Sequence, residues 1–204
     1  MKTEIINTRD PEAITYATTI LRAGKLVAFP TDTIYGLGAL IADHQGIKEL
    51  YRAKNRDTAK AIAVLMSSID DLRLVANQIN LTSKILAECF WPGPLTLIIP
   101  RHPKLPDMLS PTPTLGVRVP DHPVALALMK ISGPLAVTSA NLSGHREAHT
   151  AEEVFEQLEG RVAVILDGGR TPGGQASTVV DCLTPELKIL RPGPISLEDL
   201  MEAI

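Results

Sequence analysis

The sequence predicts an α/β protein in which a twisted, mixed parallel and antiparallel sheet is flanked by helices. Three observations carry that prediction. Short apolar runs alternate with amphipathic segments along all 204 residues, the pattern of helices layered on a sheet. Runs joined by a tight link, such as those on either side of Thr184–Glu186, must pair antiparallel, whereas runs separated by a helix have room to pair parallel. No repeat, low-complexity tract or interdomain linker interrupts the chain, so residues 1–204 are expected to form a single domain around one core.

The elements follow in order. Asp10 and Pro11 suit the start of a first helix, because Asp accepts from free amides and Pro is tolerated at the first position; Gly24 closes it. Leu26–Phe29 is a short apolar run ending at Pro30 and reads as a buried strand. Ile47–Ala53 reads as helix, Ile62–Met66 as strand, and Ile69–Ala76 and Thr82–Phe90 as two amphipathic helices. Leu95–Ile99, Leu115–Val119 and Leu135–Thr138 read as strands, with a helix from about Pro123 to Ile131. The segment Pro100–Pro113 holds five prolines and is expected to be an exposed, stiff excursion. Thr150 with Glu153 has the spacing of a capping box for a helix to about Leu158, and Ser196 with Asp199 gives a weaker start signal for a last helix. Strands at Val162–Leu166, Thr178–Cys182 and Leu187–Leu190 complete the set.

Composition narrows the function classes. Lys plus Arg total 20 against 23 for Asp plus Glu, so a net charge of −3 offers no global attraction to nucleic acid or an anionic membrane. Contact with RNA would need a local patch. The longest apolar stretches, such as Leu95–Pro100, fall far short of the ~20 residues of a membrane span, and Met1–Asp10 lacks a signal-peptide pattern. A cytoplasmic protein without a membrane partner is expected. Cys89 and Cys182 are isolated thiols, and His145 with His149 lacks a third ligand, so no metal site is expected from side chains.

Chemistry concentrates in four segments that follow apolar runs, where open α/β sheets build their sites. In Pro30–Gly38, hydroxyls and a carboxylate leave a buried strand and two glycines permit close backbone approach; the same residues also suit an ordinary turn. In Lys54-Asn55-Arg56, residues two apart share one side of an extended segment, so both cations converge on one anion if the helix ends near Ala53. Solvated charges at a helix end are the alternative. Thr138–Gly144 is a run of small donors and acceptors that fits phosphate oxygens or a plain loop. Asp167-Gly168-Gly169, Gly173, Gly174, Ser177 and then Arg191-Pro192-Gly193 suit either a closing loop or a hairpin link. There is no Walker-type loop, no third glycine after Gly36-Leu37-Gly38 and no serine nucleophile elbow.

In combination these segments resemble the YrdC-type threonylcarbamoyl-AMP synthase family. The likeness runs from about Ile14 to Arg191 through Pro30–Gly38, Lys54-Asn55-Arg56, Trp91-Pro92-Gly93-Pro94-Leu95-Thr96, Val117–Pro120, Ser139–Gly144 and Arg191-Pro192-Gly193. It implies condensation of ATP, L-threonine and bicarbonate into threonylcarbamoyl-adenylate and pyrophosphate, for the threonylcarbamoyladenosine modification of tRNA. By the same resemblance Lys54, Arg56, Ser139 and Asn141 form a nucleotide-binding tetrad, Lys54 and Arg56 being the catalytic pair. Thr58, Thr114 and Arg191 fall on the ATP side, and Thr31, Arg118 and Ser177 on the threonine side, Arg118 facing the carboxylate. Mg²⁺ is implied with ATP, and tRNA or a downstream threonylcarbamoyl transferase as partner. The nucleophile is then a carbamate formed from the substrates, which fits the lack of a catalytic dyad.

Two departures qualify the likeness. Asp57 stands where the family commonly has Pro, adding a negative charge that weakens ATP binding or else helps hold Mg²⁺. The sequence ends shortly after Arg191, so closure of the site is expected from this domain or its own tail. The competing readings are an RNA-binding module, which the acidity and 3% aromatic content disfavour, and a paralogue using another amine or carbamoyl donor.

Overall fold

The computed structural model describes residues 2–184 and 186–204. Among the described residues ten strands form one sheet: β1 Glu4–Asn7, β2 Val27–Phe29, β3 Gly36–Leu40, β4 Ala63–Leu65, β5 Leu95–Pro100, β6 Thr114–Arg118, β7 Leu135–Ser139, β8 Val164–Asp167, β9 Thr178–Asp181 and β10 Lys188–Arg191. Their order is β1-β8-β2-β3-β7-β4-β6-β5-β9-β10. Pairing is parallel for β1·β8, β2·β8, β4·β6 and β5·β9 and antiparallel elsewhere, so the sheet is mixed, as expected. The helices are α1 Ala13–Arg22, α2 His44–Lys54, α3 Leu72–Val75, α4 Leu81–Phe90, α5 Pro123–Ser132, α6 Ala151–Leu158 and α7 Leu197–Glu202.

The strand period of two divides the interior. Val27 and Phe29 join Ala17, Leu21, Leu128 and Met129 in a layer under α1 and α5. Ala28, between them, joins the larger layer under α2, α4 and α6 with Leu50, Leu86 and Leu158. The apolar interior is thus two layers separated by the sheet, where the sequence suggested one core.

Several local expectations are corrected. The first helix begins at Ala13, because Asp10 caps a turn by accepting from Glu12 N at 2.9 Å. Ile69–Ala76 is a 3-10 turn (Ile69–Asp71) and the single turn α3 rather than one helix, since Asp71 folds back to accept from Ser67 and Ser68. Thr150 accepts from Glu153 N, but the Glu153 carboxylate takes His149 N, so the reciprocal box is not made there; it is made at Ser196 and Asp199. The Pro100–Pro113 excursion is partly packed: Leu109 is buried and its carbonyl accepts from Ile62 N, while Tyr51 donates to Met108 O.

Two strands were not foreseen. The edge strand β1 is largely exposed and held by its parallel ladder to β8. In β3 the glycines lower strand propensity, yet the sheet requires them. A Cβ on Gly36 would lie 2.8 Å from Val137 Cγ1, and one on Gly38 would lie 2.9 Å from Phe29 Cε1. Among the described residues, no helix is long and apolar enough to cross a membrane.

Candidate functional site

The layer under α1 and α5 covers only part of its face of the sheet, and the remainder opens as a cleft of about 280 Å³. Strand alternation makes its floor. Leu95, Leu97 and Ile99 enter the larger core layer, so Thr96 and Ile98 face the cleft; Leu115 and Val117 do the same, leaving Gly116 and Arg118 to the cleft. Small and polar residues on one face of β4, β5 and β6 therefore leave the volume that bulky side chains fill on the other.

Ladder register sets two ends of this cleft. Leu65 pairs with both Leu135 and Arg118, so Arg118 lies level with the first residue of β7. Ser139 lies four residues further along β7, roughly 13 Å along the strand direction.

The Ser139 end is built around α2. Asn55 caps that helix in the left-handed conformation, with Asn55 N donating to Arg52 O and Arg56 N to Tyr51 O. This reversal replaces the extended segment expected for Lys54 and Arg56 and sends the two cations different ways. Lys54, 1% exposed, runs beneath the loop after β7. Its Nζ donates to Ser139 O and to Asn141 O at 2.5 Å, with Ser139 Oγ at 3.3 Å and Asn141 Oδ1 at 3.2 Å. Burial, and then the neighbouring Arg56 charge, bring the Lys54 ammonium down to about 7, with Glu147 opposing. Arg56 lines the cleft, its guanidinium steadied by Ala61 O at 2.8 Å. Asn141 is buried and donates to Leu142 O and His145 O, so it shapes the loop from within.

At the other end, Arg118 is 5% exposed and fixed from three sides. Nε donates to Gly93 O at 2.8 Å, one terminal nitrogen to Thr33 Oγ1 at 3.0 Å and the other to Asp32 Oδ1 at 2.5 Å. The Trp91–Pro94 turn thus acts on Arg118 through the Gly93 carbonyl, while Trp91 Nε1 ties the turn to Leu95 O at 2.7 Å. Hydroxyls surround this end: Thr31 Oγ1 and Thr33 Oγ1 are 3.0 Å apart, and Thr96 Oγ1 and Ser177 Oγ are 2.8 Å apart. Arg191 donates to Ser177 O at 2.8 and 3.1 Å and to Ser177 Oγ at 3.0 Å. A Cβ on Gly193 would lie 2.6 Å from Ser177 C, so the segment carrying Arg191 is pressed onto the entry to β9.

Three arginines and one carboxylate, Glu147, line the cleft among the described residues, an arrangement suited to anions. Of the positions singled out from sequence, Thr31, Arg56, Arg118, Ser139, Ser177 and Arg191 line it, and Lys54 and Asn141 lie directly beneath. Thr58 and Thr114 do not reach it. Thr58 is exposed on the turn after α2, and Thr114 begins β6, at the opposite end of that strand from Arg118. Asp57 is also exposed and accepts from Ala59 N at 2.9 Å, capping that turn. Arg191, placed on the ATP side by resemblance, touches Ser177 and so joins the two sets.

A family model for Sua5, YciO and YrdC proteins, described as telomere recombination, matches residues 19–193. The chain belongs to this family. It is 42% identical over 208 residues to threonylcarbamoyl-AMP synthase of Bacillus subtilis, covering 99% of this chain and 59% of the relative. A solved structure of Pyrococcus abyssi Sua5 complexed with L-threonine superposes with a TM-score of 0.94 at 37% identity, covering 100% of this chain and 61% of that one. Escherichia coli YciO gives a TM-score of 0.85 at 26% identity, with 98% of each chain covered. The chain thus spans about three fifths of the length of the first two proteins named.

Within the Sua5, YciO and YrdC family fold, sequence reasoning passed over Asp32, Thr33, Thr96 and Glu147 as site residues. Asp32 and Thr33 lie inside Pro30–Gly38, a segment marked for its hydroxyls and carboxylate but without a role for these two, and the alternation Leu95-Thr96-Leu97 and Leu115-Gly116-Val117-Arg118 is the signal that would have found Thr96. Glu147 sits in an irregular loop with no periodic signal.

Proposed function

We propose that the cleft condenses ATP, L-threonine and bicarbonate into threonylcarbamoyl-adenylate and pyrophosphate, in the cytosol, as the activated precursor for a tRNA modification. The observation that carries this reading is the pairing of a cationic end, Arg56 with Lys54 and the Ser139 loop, with a hydroxyl-rich end around Arg118 in one cleft. The family likeness, including a relative solved with L-threonine, supports the choice of substrates.

In this reading the Arg118 guanidinium takes the threonine carboxylate, and the Thr31, Thr33, Thr96 and Ser177 hydroxyls surround its side chain. The amine attacks the bicarbonate carbon and water leaves, giving a carbamate, and a carbamate oxygen then attacks the α-phosphorus of ATP while pyrophosphate leaves. Arg56 and Lys54 stabilise the charge on the phosphoryl oxygens, and the fixed walls supply orientation. No protein nucleophile is required. A divalent cation accompanying ATP takes most ligands from phosphate and water. Glu147 is the cleft carboxylate that would hold it, and the cation would neutralise phosphate charge there; no cluster of three or more metal-ligating side chains occurs among the described residues.

The test is pyrophosphate release by the purified chain, expected only when threonine and bicarbonate are both present. Release indifferent to threonine removes the proposal. Arg56→Ala, which deletes a charge-assisted contact, is expected to lower kcat/KM by the equivalent of about 1.5–3 kcal/mol. Running the assay with a mixture of amino acids and weighing the product separates threonine from another amine donor.

A further inference from the structure

Asp32 and Arg118 form an enclosed ion pair, with side-chain exposures of 12% and 6%. Each of the other ion pairs among the described residues leaves at least one partner mostly exposed. Asp32 does not line the cleft. It stands behind Arg118, and Gly173 packs on its backbone, donating to Asp32 O at 3.1 Å. Its influence on a ligand therefore passes through the guanidinium and through charge.

A guanidinium carries five N–H groups. Three of those on Arg118 are taken by Gly93 O, Thr33 Oγ1 and Asp32 Oδ1, which leaves two for a ligand. The pair as a whole is neutral. A singly charged carboxylate would find up to two donors there, whereas a doubly charged phosphate would add a second negative charge next to Asp32. Arg56 and Arg191 differ. They donate to carbonyls and a hydroxyl, and neither makes an ion pair among the described residues, although the cleft carboxylate Glu147 acts on Arg191 through space.

Resting on the reading that the cleft takes an amino acid together with ATP, we propose that Asp32 is a positioning residue that sets the valence of the anion accepted at Arg118. It aims the guanidinium and cancels its charge, so that this end takes a monoanionic carboxylate while phosphates go to Arg56 and Arg191, which no carboxylate contacts among the described residues. Without it, an arginine fork binds phosphate as readily as carboxylate, and the amino-acid end would be open to ATP or pyrophosphate.

Inorganic phosphate is the probe, used on the full chain. In the wild type, phosphate is expected to displace nucleotide and leave threonine affinity unchanged. In Asp32→Asn it is expected to displace threonine as well, with an inhibition constant against threonine at least about tenfold below the wild-type value, and Asp32→Glu is expected to restore the wild-type pattern. If Asp32→Asn weakens threonine and nucleotide alike and leaves the choice of phosphate unchanged, Asp32 is merely structural and the proposal is overturned. Where Asp32→Asn does not fold, the wild type decides. A threonine analogue with a sulfonate in place of the carboxylate is expected to bind at least about tenfold better than one with a doubly charged phosphonate; equal binding overturns the idea. If the wild type binds no threonine, the functional reading fails separately. One additional phosphate equivalent in Asp32→Asn, lost again when Arg118→Gln is added, then still supports the valence role, and no additional equivalent overturns it.

Discussion

Lys54 shows how one residue links the fold to the chemistry. Its ammonium lies among oxygens of Ser139 and Asn141, so the loop after β7 is organised by the cation proposed to meet a phosphate. Because burial lowers it to about 7, the folded protein carries a largely neutral amine at pH 8, while the unfolded chain stays protonated up to the ordinary lysine value. The sign follows: below about 7 both states are protonated and the cost of burying the charge is fully felt, and stability from this group rises between about 7 and the ordinary value. A bound triphosphate favours the ammonium, so binding at pH 8 is expected to take up a proton. Calorimetry in two buffers of different ionisation enthalpy detects that uptake. Nucleotide affinity is expected to fall by up to about tenfold per pH unit above 7.5, where phosphates are already ionised. Lys54→Met is expected to abolish both effects; a slope that survives it assigns the proton elsewhere.

At the scale of elements, the glycines of β3 and the clamp at Gly193 make opposite predictions. Gly36→Val forces a Cβ to within 2.8 Å of Val137 Cγ1 in the middle of the sheet, so it is expected to cost about 1–3 kcal/mol of overpacking, read as a lower thermal midpoint. Gly193→Ala meets backbone instead, at 2.6 Å from Ser177 C and 2.7 Å from Ala176 O, which cannot yield as a side chain can. Because β10 is the edge strand, that change is expected to displace Arg191 and raise the KM for threonine through Ser177, with little loss of global stability. Equal destabilisation by both variants would contradict this division. These elements also mark what the sequence could reveal. Apolar runs such as Leu95–Ile99 and caps such as Ser196 with Asp199 were legible because burial and capping act within a few residues. β3 was not, since its glycines answer to Phe29 and Val137, a contact set by distant strands. The parting of Lys54 and Arg56 depended on one left-handed residue, Asn55, which periodicity does not register.

On the scale of the whole molecule, the question is where the positive charge resides. The chain carries a net charge of −3, yet Lys54 and Arg118 are buried and Arg56 is half-buried in the cleft, while Arg191, which also lines it, is exposed. The segments that drew attention in the sequence converge on that cleft because α1 and α5 leave part of one sheet face uncovered, an arrangement no local pattern encodes. Small anions reach such charges, whereas a nucleic-acid backbone needs them spread over a convex or grooved exterior. Direct tRNA binding by this chain is therefore expected to be weak, and the adenylate is expected to leave the cleft before it meets RNA. Titrating labelled tRNA at 50 and 200 mM salt is expected to give affinities no tighter than the micromolar range, with a shallow dependence on log salt, since few phosphates are neutralised. ATP should then displace no RNA. A nanomolar affinity that collapses with salt and is competed by ATP would instead place RNA across the cleft mouth, and the RNA-binding reading would displace the soluble-intermediate one.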